Sequence, residues 1–362
     1  MLMGRQPAVP PDTAPLPPTG VGAAPGAGTG ARTAREWSRL LGPYRGADAR
    51  RAIGELALTI IPFVLCWVAM VWLARSDHPW LALLLAPPAA CLVVRLFAIQ
   101  HDCGHGSFFK TTAANDWTGR ILGVMTLTPY DYWRRTHAIH HASSGNLDAR
   151  GIGDVDTLTV REYRARSAWG RFCYRAYRHP LVMFGLGPAY LFVLQYRLPV
   201  GAMRRLDPWV STMGTNAVIL AVVLGLVWTV GFGVFVLVQV PVTLLAASIG
   251  VWLFYVQHQF EHTSWDGKDE WSMHEAAFHG SSHYELPAIL RWVTANLGVH
   301  HVHHLVSRIP SYRLNEVLRD HPDLRQVGRL TIRQSLACTR LVLWDEASRR
   351  LLSFSEARAV AA

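Results

Sequence analysis

Four long apolar runs dominate the middle of the chain. The first, Ile53 to Ala74, and the second, Pro79 to Ala98, are separated only by Arg75, Ser76, Asp77 and His78. A helix needs about 20 apolar residues to cross roughly 30 Å of hydrocarbon, so both runs are long enough to span, and they form a hairpin. Pro87-Pro88 is expected to kink the second. The stretch from about Thr215 to Val256 is long enough for a second hairpin. Its turn is expected between Thr229 and Pro241, where Gly231 and Gly233 stand. The four spans are placed at about 53–74, 79–98, 210–232 and 236–257. A fifth apolar run, Leu181 to Leu198, is ambiguous by length alone.

Outside these runs, residues 1–34 are rich in Pro, Ala, Gly and Thr and read as a disordered tail. No secretory signal peptide is expected, for no apolar core with a cleavage site follows a basic start. Residues 35–345 are expected to form one membrane domain and 346–362 a C-terminal tail. The expected fold is all-α, with two transmembrane hairpins beneath a helical cap.

Composition fits this layout. The 362 residues are 51% apolar and 17% charged, whereas a soluble protein carries about 25% charged residues. The formal net charge is +10, and only Lys110 and Lys268 among the 35 basic residues are lysines. The arginines crowd the N-terminal flank, the segment from Arg120 to Arg205 and the C-terminal region, while the hairpin turns carry only Arg75. By the positive-inside rule both termini and the middle segment face the cytoplasm. The same distribution argues against a nucleic-acid surface, which needs a compact basic patch with base-reading groups. Five cysteines without a C-x-x-C pair suggest neither a disulfide framework nor a thiolate metal site.

Histidine supplies the candidate chemistry. His101 and His105 are four apart; His137, His140 and His141, and again His300, His303 and His304, follow an i, i+3, i+4 pattern. On a helix these positions share one face, so each cluster is a multidentate imidazole surface. If the three serve one site, they lie on one side of the membrane. An even number of spans must then separate the second from the third, so Leu181–Leu198 is expected to be interfacial or half-inserted. Eight imidazoles exceed the need of one four-coordinate zinc and suit two metals. The count alone does not separate iron from zinc. His301 falls off the shared face. His274, His279 and His283 are not expected to bind metal. Asp102, Asp148, Asp154 and Asp156 are available to orient ligating imidazoles. Asn296, four before His300, is a candidate for holding a metal-bound water or capping the helix.

These motifs resemble those of the membrane fatty acid desaturase family, H-x-x-x-H followed twice by H-x-x-H-H. Gln100–Phe109 (QHDCGHGSFF), Arg135–Asp154 (RTHAIHHASSGNLDARGIGD) and Asn296–Tyr312 (NLGVHHVHHLVSRIPSY) look like its three boxes. They are most similar to those of bacterial acyl-lipid, delta-12/omega-6-like enzymes, and the resemblance covers about residues 50–340. It implies a four-span membrane enzyme whose cytoplasmic cap holds two irons above a tunnel for an acyl chain. Carried over box by box, the ligands are His101, His105, His137, His140, His141, His300, His303 and His304. The family also uses a histidine at the end of the fourth span, which matches His258 here. Asp102, Asp154 and Asn296 are the candidates for supporting these ligands from behind. The chain departs from its relatives at His262, where an aspartate is usual, and at Asp156, where an aromatic is usual.

The activity implied is oxygen-dependent insertion of a cis double bond into a lipid-linked acyl chain, in a bacterial inner membrane. No haem motif, dinucleotide fingerprint or iron–sulfur cysteine set is present, so electrons are expected from a separate ferredoxin or similar donor. The alternative is a di-iron hydroxylase or ketolase acting on an alkane, sterol or carotenoid. A zinc hydrolase is the less apt reading of the same clusters. A metal transporter is less apt still, because the interiors of the first, third and fourth spans hold no histidine or carboxylate.

Overall fold

The computed structural model describes residues 32–360. The tail expected over 1–34 lies outside the described residues as far as residue 31. Thr33 already caps α1 (Ala34–Leu40) through a reciprocal box with Glu36.

The first span is α2 (Ala49–Ala74), opened by Asp48, whose carboxylate accepts the backbone N–H groups of Arg50 and Arg51. The second span begins as a 3₁₀ turn, Pro79–Leu85, and continues as α3 (Ala86–Gly104). Pro87 and Pro88 occupy the first turn of α3, where a missing N–H breaks no hydrogen bond. The expected kink is therefore a change of helix type ahead of the prolines. A cap segment follows, with α4 (Thr112–Met125), α5 (Tyr130–Ser143), β1 (Leu158–Thr159), α6 (Val160–Ala165) and α7 (Ala168–Arg178).

The ambiguous run does not form a continuous span. It breaks into a π turn over Val182–Leu186, the short α8 (Gly187–Ala189), a second π turn over Tyr190–Leu194 and a 3₁₀ turn over Gln195–Arg197. Among the described residues, four helical segments are long and apolar enough to cross a membrane, and this run is not one of them. The other two are α9 (Leu206–Val230) and α10 (Phe232–His258). Gly231 alone joins them, at φ +88°, a conformation that only glycine adopts without strain. Arg75, in the turn of the first hairpin, donates to the carbonyl of Thr229 beside the second, at 3.1 Å. Both turns therefore sit at one end of the bundle, and His101 and His258 sit at the other.

Alanines at 82, 86, 89 and 90 let the helices of the two hairpins approach closely, against Met70, Val238 and Val242. The outer faces of α2 and α9 keep large apolar side chains exposed, including Leu65, Trp72 and Trp228. Contiguous apolar surface of this kind marks contact with lipid.

Beyond α10 come α11 (Met273–His279), β2 (His283–Glu285), α12 (Ala288–Val293), α13 (His300–Leu305), α14 (Ser311–Asp320), β3 (Arg329–Thr331), α15 (Ile332–Cys338), β4 (Leu343–Asp345), β5 (Arg350–Leu352) and α16 (Glu356–Ala359). Two small sheets thus join the helices, one ordered β1-β4-β5 and one pairing β2 with β3 in parallel. The stretch read as a C-terminal tail is packed instead: β5 pairs antiparallel with β4, and Leu351, Leu352 and Ala357 are buried. Burial of these side chains offsets the entropy of ordering the segment. Arg178 ties this region to the bundle, donating to the Tyr255 hydroxyl, the Gln259 side chain and the carbonyl of Leu341.

A second buried arginine lies inside a span. Arg95 of α3 pairs with Glu55 of α2, donates to Thr59 Oγ1 at 3.0 Å and reaches the carbonyl of Trp292, over whose ring it also stacks. Replacing it removes the partner of a part-buried carboxylate and of the Trp292 carbonyl. We therefore expect Arg95→Ala to cost about 1–3 kcal/mol. In detergent this appears as a clear drop in the thermal midpoint on size-exclusion chromatography; an unchanged midpoint would argue that the network is solvated.

Candidate metal centre

Four separate segments deliver imidazoles to one end of the bundle. His101 lies in the last turn of α3 and His105 caps it. His137, His140 and His141 share the inner face of α5. His258 is the last residue of α10, and α13 carries His300, His303 and His304. The short α13 is held in place by its approach to α10. His300 N–H and His301 N–H both donate to the carbonyl of Ser282, and Ser282 N–H donates to the carbonyl of Gln257. Gly298 permits this, because a Cβ there would stand 2.6 Å from the carbonyl oxygen of Tyr284.

The nitrogens form two groups. His101, His105, His137, His141 and His303 converge on one point, and His140, His258, His300 and His304 on another, with ligand atoms within 4.8 Å of one another in each. In the first group His105 Nε2 lies 3.0 Å from His137 Nε2 and 3.3 Å from His101 Nε2, and His141 Nε2 lies 3.1 Å from His137 Nε2. In the second, His258 Nε2 lies 3.2 Å from His140 Nε2 and 3.0 Å from His300 Nε2. Imidazoles bound about 2.1 Å from one ion would place neighbouring nitrogens about 3.0–3.4 Å apart. The spacing therefore fits a metal at each centre. His304 Nε2 is buried and has no hydrogen-bond partner, as expected of a nitrogen awaiting an ion.

The environment keeps these rings neutral. Burial, reinforced by the neighbouring imidazoles, holds His105, His137, His141, His300, His303 and His304 well below the ordinary histidine range. A neutral imidazole is the form that ligates. For two of the rings, orientation comes from the other ring nitrogen. His140 Nδ1 bonds to Asp154, and His258 Nδ1 donates to the carbonyl of Gly280 at 3.2 Å. Such bonds select the tautomer whose Nε2 lone pair faces inward.

The remaining candidates separate clearly. Asp102 Oδ2 accepts Ser311 N–H at 2.7 Å, and its Oδ1 stands 3.7 Å from His101 Nδ1. Asn296 turns away from the centres: its amide nitrogen donates to the carbonyl of Ser311, and its oxygen accepts from Asn315. Its φ of +60° accounts for an asparagine in this tight loop. Asp148 accepts Lys268 N–H, while Asp156, His262 and His279 are exposed. His274 is half-buried and, like His262, lies outside both nitrogen groups. His283 is spent on the carbonyl of Arg325. His301 is fully buried outside both groups, and burial pushes it down to about 3.

A cavity of about 1470 Å³ reaches the centres. His101, His137 and His300 form part of its wall, with Phe97, Trp133, Leu253 and Phe254 around them. Toward the membrane it continues past Val93, Ala246 and Ala247 to Gln239 and Thr243. The family resemblance implied such a tunnel, but residue periodicity gave no signal of it, because its wall is assembled from single positions on separate helices.

A model of the fatty acid desaturase family matches residues 78–335. The chain is 40% identical over 320 residues to a fatty acid desaturase of Bacillus subtilis, covering 88% of this chain and 90% of the relative. It is 30% identical over 232 residues to an sn-1 acyl-lipid omega-3 desaturase (ferredoxin) of Synechocystis, covering 60% and 61% of the two chains. It is 24% identical over 282 residues to an sn-1 oleoyl-lipid 12-desaturase of the same organism, covering 73% and 70%.

Neutral buried histidines tie stability to pH. In the unfolded chain each binds a proton below about pH 6.5, and in the folded chain it does not. Stability is therefore greatest above that pH and falls as the pH drops below it. We expect the thermal midpoint of chelator-treated protein to decline steadily from pH 6.5 to pH 5. A midpoint that stays flat over this interval would mean that the rings are solvated.

Proposed function

The chain belongs to the fatty acid desaturase family, whose members are oxidoreductases, and from that premise we propose that it desaturates lipid-linked acyl chains with two iron ions, oxygen and an external electron donor. The observation that carries the reading is the pair of converging imidazole groups beside a long apolar cavity. Two irons would supply the oxidising power that a methylene without an acidic proton requires, and histidine-rich, thiolate-free donor sets suit iron. The reaction balances as a saturated chain plus oxygen, two electrons and two protons, giving an alkene and two waters.

The protein's own residues position the components. His101, His105, His137, His141 and His303 would hold one ion, and His140, His258, His300 and His304 the other. Asp154 fixes the ring of His140 and the carbonyl of Gly280 fixes that of His258. Phe97, Trp133, Leu253 and Phe254 line the path beside the centres, exclude water and keep the acyl chain extended against the imidazoles. Asn296 has no part in this scheme, since its amide is engaged by Ser311 and Asn315.

The electron donor is read as a ferredoxin or similar acidic protein, after the relative named for it. The arginine-rich segments at the histidine end would steer such a partner. By the positive-inside rule the same arginines favour a cytoplasmic position for that end and both termini, and the membrane is read as a bacterial inner membrane. The hydroxylase or ketolase alternative is not favoured, because the relatives described above are named as desaturases.

Expression in a bacterium with simple lipids tests the reading by mass spectrometry of its fatty acids. A new double bond should appear with the intact chain and vanish with His141→Ala or His304→Ala, one from each group. Asp154→Asn should lower activity about 10–100-fold while the protein still folds. An unaltered profile in several hosts, or a hydroxylated product, would count against desaturation.

A further inference from the structure

The opening of the cavity toward the cap differs from its apolar body. Three arginines line it: Arg135 from α5, and Arg204 and Arg205 from the turn before α9. Among the described residues of the lining, the only carboxylate is Asp154, which is engaged by His140. Arg135 and Arg205 both donate to Asp207 in the first turn of α9, Arg205 through Nε at 3.1 Å. One carboxylate thus orients two guanidinium groups and cancels a single charge. Arg204 is exposed and makes no ion pair or hydrogen bond with a described residue.

The basic excess at the membrane surface does not by itself account for this arrangement. Positive-inside arginines need only reach the interface, whereas these three border the same cavity that reaches the imidazoles. Guanidinium groups are also the side chains best shaped to take phosphate through paired hydrogen bonds. An apolar chamber with a cationic rim is complementary to an amphiphile with an anionic head.

We propose that Arg135, Arg204 and Arg205 form a headgroup site that binds the phosphate of the acyl carrier, so that the preferred substrate is a net-anionic, phosphate-bearing acyl compound. The proposal rests on the desaturase reading of the same cavity and narrows its substrate class. A phosphodiester lipid or a phosphopantetheine thioester could supply this chemistry. A zwitterionic lipid fits less well, because its own cation competes with the arginines.

The test uses the full chain, loaded with iron and reconstituted in vesicles of equimolar phosphatidylglycerol and phosphatidylcholine bearing the same acyl chains. Reduced ferredoxin and oxygen are supplied, and new double bonds are counted for each headgroup by mass spectrometry. A parallel arm offers the matching acyl-coenzyme A. Phosphatidylglycerol should be favoured about tenfold, in keeping with one charge-assisted hydrogen bond. Arg204→Gln should bring the ratio close to one, and Arg204→Lys should retain part of the preference. Because Arg204 has no partner to lose, its replacement does not threaten the fold; circular dichroism of the variant checks this.

If only the thioester is desaturated and Arg204→Gln raises its KM, the phosphate site stands with a soluble carrier as its source. Equal use of both lipids by the unaltered protein, or a preference or KM insensitive to Arg204→Gln, overturns the proposal. No double bond in any arm refutes the desaturase reading itself, and the headgroup site falls with it.

Discussion

Nine buried or half-buried imidazoles that face two points in space set the terms for the rest of the protein. Each ring is costly to bury, and an unpaired buried nitrogen costs about 1–3 kcal/mol. His304 Nε2 is one such nitrogen. Four segments arrive at one place with His140 held by Asp154, His258 by the carbonyl of Gly280 and other rings by close packing, while the Nδ1 atoms of His101, His300 and His303 are buried without a partner among the described residues. With metal bound as proposed, the inward nitrogens gain the partners that the protein itself withholds.

The membrane bundle serves this convergence. Its two hairpin turns are joined at one end by Arg75, which leaves the ends of α3 and α10 together at the other. Alanine-rich packing brings those helices close enough for His101 and His258 to contribute to neighbouring centres. Arg95 extends the same logic into the cap. Its hold on Glu55 and on the carbonyl of Trp292 fixes the approach to the loop that leads to His300. Beside the histidine cluster these helices and the cap line a largely apolar cavity.

Much of this was legible in the chain because the signals are periodic. Apolar runs of about 20 residues gave the spans, and i, i+3, i+4 spacing gave eight of the nine converging histidines. His258 stands alone at the end of a span, so periodicity was silent there and only the family resemblance singled it out. Asn296 was misleading: four residues before a histidine suggests a shared helix, yet α13 begins only at His300 and a left-handed loop turns the amide away. The packed C-terminal strand was missed because Leu351 and Leu352 are a short apolar pair whose partner, β4, is a tertiary contact. The arginine rim of the cavity was read only as topology, for nothing local distinguishes an arginine beside lipid from one beside a cavity.

The central claim is that the two imidazole groups form a di-iron centre. Elemental analysis of the full chain, purified in detergent from iron-supplemented cells, addresses it most directly. The account predicts two iron ions per chain and little zinc. One ion per chain, or zinc in place of iron, would contradict it.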